Sequence, residues 1–357
     1  MKLHRNSAGD RSVTCQDGHS VGLDIGATAV RAAVLNVQVR DGVPTVTAQH
    51  LGGAPLHPGT VVNGVVADPA SLTAALKGLW RANNISCRRV IVGVANPQVL
   101  VREIQIPHLD PAQQARALPF QARDVIALPM DQVVLDFTPL GPPDPDSNLV
   151  TGLLVASPRE PVLSAVAAVE RAGLKVSRVD LASFAVLRSS AGDGLDVEAV
   201  IDVGAHLTTV VVHQGGIPKL VRTLPRGGEE LTTRLAERLN ISLEEAEQLK
   251  CTSGLGVPGE VATLLTECLG PLLAEIRSSI NYFRTGHTGV QLRRISLTGG
   301  SAALPGFATV LSTQNGAPTS VTDPLRLVEP AAKGQSKTSD DRWASALSVG
   351  LAMGTAA

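Results

Sequence analysis

Two aspartates stand at the same place in a repeated sequence pattern, and their chemistry suggests what the chain binds. The stretches VGLDIGATAV (21–30) and VIDVGAHLTT (200–209) each run from an apolar strand through Asp-x-Gly-Ala into a second apolar run. A glycine directly after a strand lets the backbone approach a ligand closely, and successive N–H groups in such a turn bind anions. Asp24 and Asp202 suit a hydrated Mg²⁺, which takes one or two carboxylates and keeps its other waters. Two facing turns would therefore hold a polyphosphate with a metal ion between them.

Two further motifs in the second half of the chain could complete a nucleotide site. Glu247 and Lys250 are three residues apart on a predicted helix that begins with a Ser-x-x-Glu capping box, so they share a face. Such a pair could hydrogen-bond a ribose diol, although most such pairs are solvated surface pairs. The turn Thr298-Gly299-Gly300-Ser301 follows an apolar strand, and its two glycines would let a nucleobase lie on the backbone. The alternative is an ordinary strand–helix turn.

The composition argues against several classes of protein. The net charge of the 357 residues is −1 and aromatic residues make up 2%, so neither a basic surface for nucleic acid nor a base-stacking surface is expected. The sequence has no run of about 18 apolar residues, and its first twenty residues are polar, unlike a secretory signal. We therefore expect a cytoplasmic protein with no nucleic-acid partner and no direct membrane insertion.

The order of strand-like and helix-like stretches predicts two related α/β domains with an insertion. Each half opens with an Asp-x-Gly hairpin and ends in strand–helix pairs, whereas the segment between them alternates strands and helices in a different order. The predicted boundaries are a flexible N-terminal extension (1–19), the first part of domain I (20–100), an inserted α+β subdomain (101–180), a return to domain I (181–197 and 342–357), domain II (198–330, with a helical part at about 226–290) and a polar loop (331–341).

Taken in order, the four motifs resemble those of the actin-like ATPase superfamily. Within it, the chain is similar over about 20–357 to the PilM family of type IV pilus assembly proteins, which is FtsA-like. The similarity is carried by four stretches: HPGTVVNGVVADPASL, the segment from VREIQIPHLD to FQARDVIALPMDQVVLDFTPLG, LPRGGEELTTRLAERLNISLEEAEQLK and ISLTGGSAALPGF. The resemblance implies an α/β, ribonuclease H-like fold of two actin-like domains with an inserted α+β subdomain.

The resemblance also implies a site for ATP and Mg²⁺ between the domains. Asp24 and Asp202 would hold the metal through water, and Asp202 would also position the metal or the water for catalysis. The implied cofactor-binding residues are Asp24, Gly26, Ala27, Thr28 and Arg31 in the first phosphate turn, Asp202, Gly204 and Thr208 in the second with Thr209 as a further candidate, Gly227 and Gly228 beside the nucleotide, Glu247 and Lys250 at the ribose, and Gly299, Gly300 and Ser301 at the adenine. The family usually has Ser in place of Ala27 and Lys in place of Arg31, and no general base is evident. We therefore expect weak or no ATPase activity.

The function implied by the resemblance is that of a scaffold in pilus assembly. Family members bind the N-terminal cytoplasmic tail of an inner-membrane partner, PilN, near the inserted subdomain. We therefore expect a protein at the inner face of the cytoplasmic membrane, held there by a PilN-like tail and by other inner-membrane and motor components of the pilus machinery. In the assembled machine it would form a homo-oligomer or ring.

Two other functions fit the same motifs. A small-molecule kinase of the sugar type would need an aspartate base beside the acceptor hydroxyl. The aspartates in the insertion fall in stretches that resemble the interaction subdomain instead. An FtsA-like, filament-forming division protein would carry an amphipathic C-terminal membrane helix, but the sequence ends in ALSVGLAMGTAA, which has no basic face.

Overall fold

The computed structural model describes residues 19–40, 43–192, 194–255, 259–287, 289–329 and 342–354. The predicted polar loop at 331–341 lies outside the described residues, and so does the predicted extension at 1–19 apart from His19. The strands are β1 (His19–Ile25), β2 (Ala29–Arg40), β3 (Val43–Pro55), β4 (Val61–Val62), β5 (Val65–Val66), β6 (Arg89–Val94), β7 (Leu100–Pro107), β8 (Val133–Pro139), β9 (Leu149–Pro158), β10 (Lys175–Leu181), β11 (Val197–Val203), β12 (Thr208–Gln214), β13 (Ile217–Leu224), β14 (Leu292–Thr298) and β15 (Thr319–Val321). The helices are α1 (Pro69–Ala82), α2 (Pro111–Gln121), α3 (Arg159–Arg171), α4 (Ala182–Ser190), α5 (Gly228–Leu239), α6 (Leu243–Ser253), α7 (Glu260–Gly286), α8 (Phe307–Asn315) and α9 (Ala346–Met353).

Two five-stranded sheets with the same topology form the centres of two domains. The first sheet has the order β10-β6-β1-β2-β3 and the second has the order β13-β12-β11-β14-β15. In each sheet, three antiparallel strands follow one another along the chain, and two more strands add in parallel beside the first of the three. The repeated Asp-x-Gly pattern therefore occupies the same position in both sheets, at the first hairpin.

The central strands are apolar on both faces because helices cover both faces. In β11, alternate residues such as Ile201 belong to the core of the second domain together with side chains of α5 and α7. The neighbouring residue, Val200, points to the opposite face of the sheet and packs against Val186 of α4. Because α4 directly follows the first sheet in the chain, this contact joins the two domains.

The helices α4 and α9 approach each other closely between the two sheets. Leu347 of α9 packs with Val200 of the second sheet and with Ile91 of the first sheet. A Cβ atom added at Gly350 would lie 1.8 Å from the carbonyl oxygen of Ala185 in α4, so the two backbones are in direct contact.

We expect Gly350→Ala to destabilise the protein by about 2–3 kcal/mol, because the added methyl group would force the two helices apart. Gly78→Ala is the matched control, since Gly78 also lies inside a helix and a Cβ atom there meets no atom within 4 Å. The control should gain up to about 1 kcal/mol from helix propensity. Urea denaturation measures both changes, and equal stability of the two variants would contradict the close packing.

The inserted subdomain is smaller than predicted. It consists of a three-stranded antiparallel sheet in the order β7-β9-β8 and of α2, around a core that includes Ile106, Phe137 and Leu154. The predicted boundary at 180 is wrong, because β10 pairs in parallel with β6 of the first sheet and α3 packs against α1. The insertion therefore ends with β9, and α3, β10 and α4 belong to domain I.

None of the helices in the described part of the chain combines the length and the apolar character that a membrane span requires.

Candidate functional site

A cavity of about 490 Å³ lies between the two domains, at the ends of β1 and β11. This volume is within the range of roughly 300–1,000 Å³ that is usual for small-molecule sites. Most of the residues predicted from the sequence meet there, although they come from five separate segments. Those that line the cavity are Asp24, Gly26, Ala27, Thr28, Arg31, Asp202, Gly204, Thr209, Gly228, Glu247, Lys250, Gly299, Gly300 and Ser301.

The two Asp-x-Gly turns have the same hydrogen bond at the same position. In the first turn, the N–H of Gly26 donates to the carbonyl of Ala29 at 3.0 Å. In the second turn, the N–H of Gly204 donates to the carbonyl of Leu207 at 2.9 Å. Each turn therefore closes its hairpin in the same way, with the aspartate two residues before the glycine at the end of the strand.

The residue opposite the aspartate differs between the two hairpins. Asp24 pairs across the first hairpin with Arg31, whose Nη1 lies 3.9 Å from its Oδ2. Asp202 pairs across the second hairpin with Thr209, which offers a hydroxyl group instead of a charge. The first hairpin thus has an internal counter-ion for its aspartate, and the second has none at the equivalent position.

Burial makes both carboxyl groups weaker acids than an aspartate in water. Removal from water raises the pKa of Asp24 from its ordinary value of 3.8 to about 6, although the positive charge of Arg31 partly offsets this. Removal from water also raises the pKa of Asp202, to about 7, and the negative charge of Asp24 adds to the increase while Arg31 reduces it. The two carboxylates therefore repel each other, and a cation between them would relieve both the burial and the repulsion.

The donor set fits a Mg²⁺ ion accompanied by phosphate groups. Among the described residues, no cluster of three or more histidine, cysteine, aspartate or glutamate side chains forms a closed metal site. A metal ion held by Asp24 and Asp202 would therefore complete its coordination with water and ligand oxygens. That is the coordination Mg²⁺ prefers, with few carboxylates and several waters or phosphate oxygens.

The pair predicted at the ribose lies on α6, where Lys250 is buried and Glu247 is half exposed. The side chain of Lys250 is 7% exposed, and its ammonium donates to Glu247 Oε2 at 2.6 Å, to Thr232 Oγ1 at 2.9 Å and to the carbonyl of Gly228 at 3.2 Å. Burial alone would raise the pKa of Glu247, but hydrogen bonds from Lys250 and Thr232 outweigh it and lower that pKa. The pair is therefore part of an interhelical network between α5 and α6.

The predicted adenine turn lies directly beside the second aspartate. β14 runs parallel to β11, with Thr298 opposite Asp202, so the next residue, Gly299, reaches the carboxylate. Gly299 has φ of 91°, and a Cβ atom there would lie 2.5 Å from Oδ1 of Asp202. Its N–H donates to the carbonyl of Trp343 at 3.2 Å, which fixes the turn against the last part of domain I.

Two predicted site residues do not line the cavity. Thr208 is fully buried and its hydroxyl donates to the carbonyl of Arg226 at 2.8 Å, so it supports the loop that leads into α5. The alternation of side chains along β12 instead turns Thr209 towards the cavity. Gly227 lies behind the second turn, against the carbonyl groups of Gly204 and Ala205.

The sequence prediction omitted Thr232, His206 and Glu229, which also line the cavity. Thr232 lies four residues after Gly228 on α5, so the two residues share a face of the helix, and this spacing could have identified Thr232. His206 Nε2 lies 2.5 Å from Glu229 Oε2, and this pair links the second turn to the start of α5. The first two N–H groups of α5 donate to the carbonyls of Gly204 and Ala205 at 2.9 and 3.0 Å, so the helix supports the turn from behind.

The similarity of this chain to known proteins covers nearly its whole length. A family model for the type IV pilus assembly protein PilM matches residues 22–356. A chain in the solved PilM-PilN type IV pilus biogenesis complex is 28% identical with a TM-score of 0.80, over 94% of this chain and 97% of that chain. The ethanolamine utilization protein EutJ from Carboxydothermus hydrogenoformans is 16% identical with a TM-score of 0.55, over 96% and 92% of the two chains, and this likeness shows the fold alone.

The cell division protein FtsA is a more distant relative in sequence. FtsA of Bacillus subtilis (strain 168) is 26% identical in an alignment of 259 residues that covers 64% of this chain and 57% of that protein. FtsA of Streptococcus pneumoniae serotype 2 (strain D39 / NCTC 7466) is 27% identical in an alignment of 337 residues that covers 82% of this chain and 72% of that protein. The match thus spans little more than half of the Bacillus protein.

Proposed function

Because this chain belongs to the type IV pilus assembly protein PilM family, we propose that it is a nucleotide-binding scaffold of a pilus assembly machine. The predicted family and the predicted actin-like fold of two α/β domains are confirmed. The single observation that carries the nucleotide proposal is the convergence of both Asp-x-Gly turns, the α6 pair and the glycine turn on one cavity between the domains.

In this proposal, each element of the cavity recognises one part of Mg-ATP. Asp24 and Asp202 would hold the cation through water, and its positive charge would offset the repulsion between the two carboxylates. The backbone of the two turns and the guanidinium of Arg31 face the phosphates, and Glu247 faces the ribose. Since the contacts come from both domains, a bound nucleotide would hold the domains together.

We propose that hydrolysis is weak or absent. Every carboxylate that lines the described cavity already has another role, and a general base for water would need one that is available. Asp24 and Asp202 would hold the metal, Glu229 pairs with His206, and Glu247 is bound by Lys250. The first turn also has Ala27, which provides no hydroxyl group for the phosphates.

The inserted subdomain is the proposed binding region for the N-terminal cytoplasmic tail of a PilN-like partner. The solved relative with a TM-score of 0.80 comes from a complex of PilM with PilN. In this chain, Lys219 Nζ of β13 lies 3.1 Å from Glu103 Oε2 of β7, so an ion pair connects the inserted subdomain to the second domain. We propose that partner tails hold the protein at the cytoplasmic face of the inner membrane, together with motor components, in a homo-oligomer or ring.

Thermal unfolding tests the nucleotide proposal. We expect millimolar ATP with Mg²⁺ to raise the melting temperature, since a ligand at 100 times its Kd stabilises the folded state by about 2.7 kcal/mol. ATP with EDTA should raise it much less, because the two carboxylates then lack their cation. The absence of any shift with Mg-ATP would contradict nucleotide binding.

Pull-down with a synthetic PilN-like tail tests the scaffold proposal independently. We expect the tail to bind wild-type protein and to lose binding when β7 to β9 are replaced by a short linker, while Mg-ATP still raises the melting temperature of that variant. Transfer of phosphate from ATP to a sugar by the wild-type protein would favour the kinase alternative and contradict the scaffold.

A further inference from the structure

The tips of the two Asp-x-Gly turns carry polar side chains at equivalent positions. In each turn, the second residue after the glycine that closes the hairpin lies at the tip: Thr28 follows Gly26, and His206 follows Gly204. The side chains of Thr28 and His206 both line the cavity. Since the two turns belong to different domains, the cavity receives one polar side chain from the turn tip of each domain.

His206 is the basic group that the second domain places beside its own phosphate turn. In this turn and in the first turn of α5, the cavity is lined by the carboxyl groups of Asp202 and Glu229 and by the imidazole of His206. The other basic groups in the described lining are Arg31 of the first hairpin and Lys250 of α6. A phosphate that approaches the second turn would therefore meet two carboxyl groups and one basic side chain.

The contact between His206 and Glu229 is a weak one. Nε2 of the imidazole lies 2.5 Å from Oε2 of Glu229, and we assign its proton to Nε2, because an ionised carboxylate only accepts hydrogen bonds. The two atoms are close but are not aligned as a hydrogen bond, and Oε2 accepts no other hydrogen bond from the described residues. The two side chains are 31% and 35% exposed, so water screens the pair and the pair stabilises the protein little.

A terminal phosphate is a stronger acceptor than the carboxylate of Glu229. It carries roughly two negative charges and several acceptor oxygens. Because the proposed ribose position is at α6, the phosphate chain of a bound nucleotide would end between the two turns, where Thr28 and His206 lie. The carboxylate that it replaces would be repelled by the phosphate and is already partly exposed, so it would turn to solvent.

We propose that the side chain of His206 recognises the terminal phosphate of the nucleotide by exchanging Glu229 for it, so that the protein distinguishes a nucleoside triphosphate from a diphosphate. This inference rests on the proposed nucleotide binding and goes beyond the backbone contacts of the two turns. Because Glu229 lies in the first turn of α5, the exchange would also release one contact between the second phosphate turn and that helix.

The ratio of the affinities for Mg-ATP and Mg-ADP tests the assignment. Calorimetry should show that the wild-type protein prefers Mg-ATP. His206→Ala should lower this preference about tenfold, as the loss of a hydrogen bond to a charged group predicts. His206→Gln retains an N–H donor near the position of Nε2, so its preference should stay within about threefold of wild type. His108→Ala, at an exposed position of the inserted subdomain, is the control and should leave the ratio unchanged.

Glu229→Gln separates the exchange from a simple effect of charge. We expect its preference for Mg-ATP to rise about threefold, because an amide competes with phosphate for the imidazole less strongly than a carboxylate does. When His206→Ala and Glu229→Gln are combined, the preference should equal that of His206→Ala alone, since no imidazole remains to compete for. Glu237→Gln removes the same charge from an exposed position of α5 and is the matched control.

Two outcomes would overturn the inference. One is an unchanged preference in His206→Ala, even if both affinities fall, because His206 would then only support the turn. The other is a rise in preference that persists in the double variant, because the lost charge of Glu229 would then act without His206. Failure of the wild-type protein to bind either nucleotide would instead contradict the proposed function, so the two failures are distinguishable.

Discussion

Replacing Asp24 with Asn is expected to stabilise the free protein at pH 8 by up to about 3 kcal/mol and to abolish the binding of Mg-ATP. The gain arises because burial raises the pKa of Asp24 from 3.8 to about 6, so the ionised carboxylate destabilises the folded state. Asparagine has nearly the same shape without the charge. The loss of binding arises because an amide is a poor ligand for a hydrated Mg²⁺ ion.

The stability difference between wild type and this variant should depend on pH in a defined direction. Because the pKa of Asp24 is higher in the folded than in the unfolded chain, the folded protein binds more protons between about pH 4 and 6. The stability of the wild type therefore falls as the pH rises through this range, and the loss is complete above it. Urea denaturation should show equal stability of the two proteins at pH 4 and a more stable variant at pH 8.

Asp202→Asn should also be more stable than wild type at pH 8, and the difference should develop over the wider range from about pH 4 to 7, since the pKa of Asp202 is raised to about 7. The stability gains of the two substitutions should not add, because the charge of Asp24 is one cause of the raised pKa of Asp202.

Asp124→Asn, at an exposed position of the inserted subdomain, is the control and should change neither stability nor binding. A destabilised Asp24→Asn variant at pH 8 would contradict the buried, unfavourable carboxylate.

Gly299→Ala is expected to cost about 3 kcal/mol of stability and to weaken Mg-ATP binding at least tenfold. The residue has φ of 91°, which costs roughly 1 kcal/mol or more for any other residue. In addition, its Cβ atom would lie 2.5 Å from Oδ1 of Asp202 and 2.6 Å from the carbonyl of Val203. The clash would displace the carboxylate that the proposal assigns to the metal.

The neighbouring glycine provides a matched control for this prediction. A Cβ atom at Gly300 would have Ala344 as its nearest neighbour, at an ordinary contact distance of 3.9 Å. Gly300→Ala should therefore leave stability within about 0.5 kcal/mol of wild type. Urea denaturation measures the stability of both variants, and a similar loss of stability in the two would show that the clash with Asp202 is not the cause.

The sequence predicted the parts of this structure that depend on local pattern. The Asp-x-Gly hairpins were recognisable because a strand, a turn and a second strand are contiguous and repeated. The capping box at Ser242 and Glu245 likewise marked the start of α6, which the structure confirms. Such features depend on residues within one or two turns of each other, so they are visible without a tertiary structure.

The features that the sequence did not predict depend on contacts between distant residues. The end of the insertion was misplaced because the sequence KVSRVDL predicts a strand but not the sheet to which the strand belongs. Its pairing with β6 assigns it to domain I and not to the inserted subdomain. Thr208 and Thr209 are both plausible ligands by type, and the direction of side chains along β12 separates them. The burial of Lys250 likewise depends on the packing of α5 against α6.

The contact between α4 and α9 has a mechanical consequence. At Gly350 the backbone of α9 touches the backbone of α4, so no side chain lies between them that could change its rotamer and let the helices slide. A shift of α9 along α4 would therefore bring backbone atoms into collision. Because Leu347 of α9 packs against strands of both sheets, the same contact limits how far the two sheets can shift relative to each other at this point.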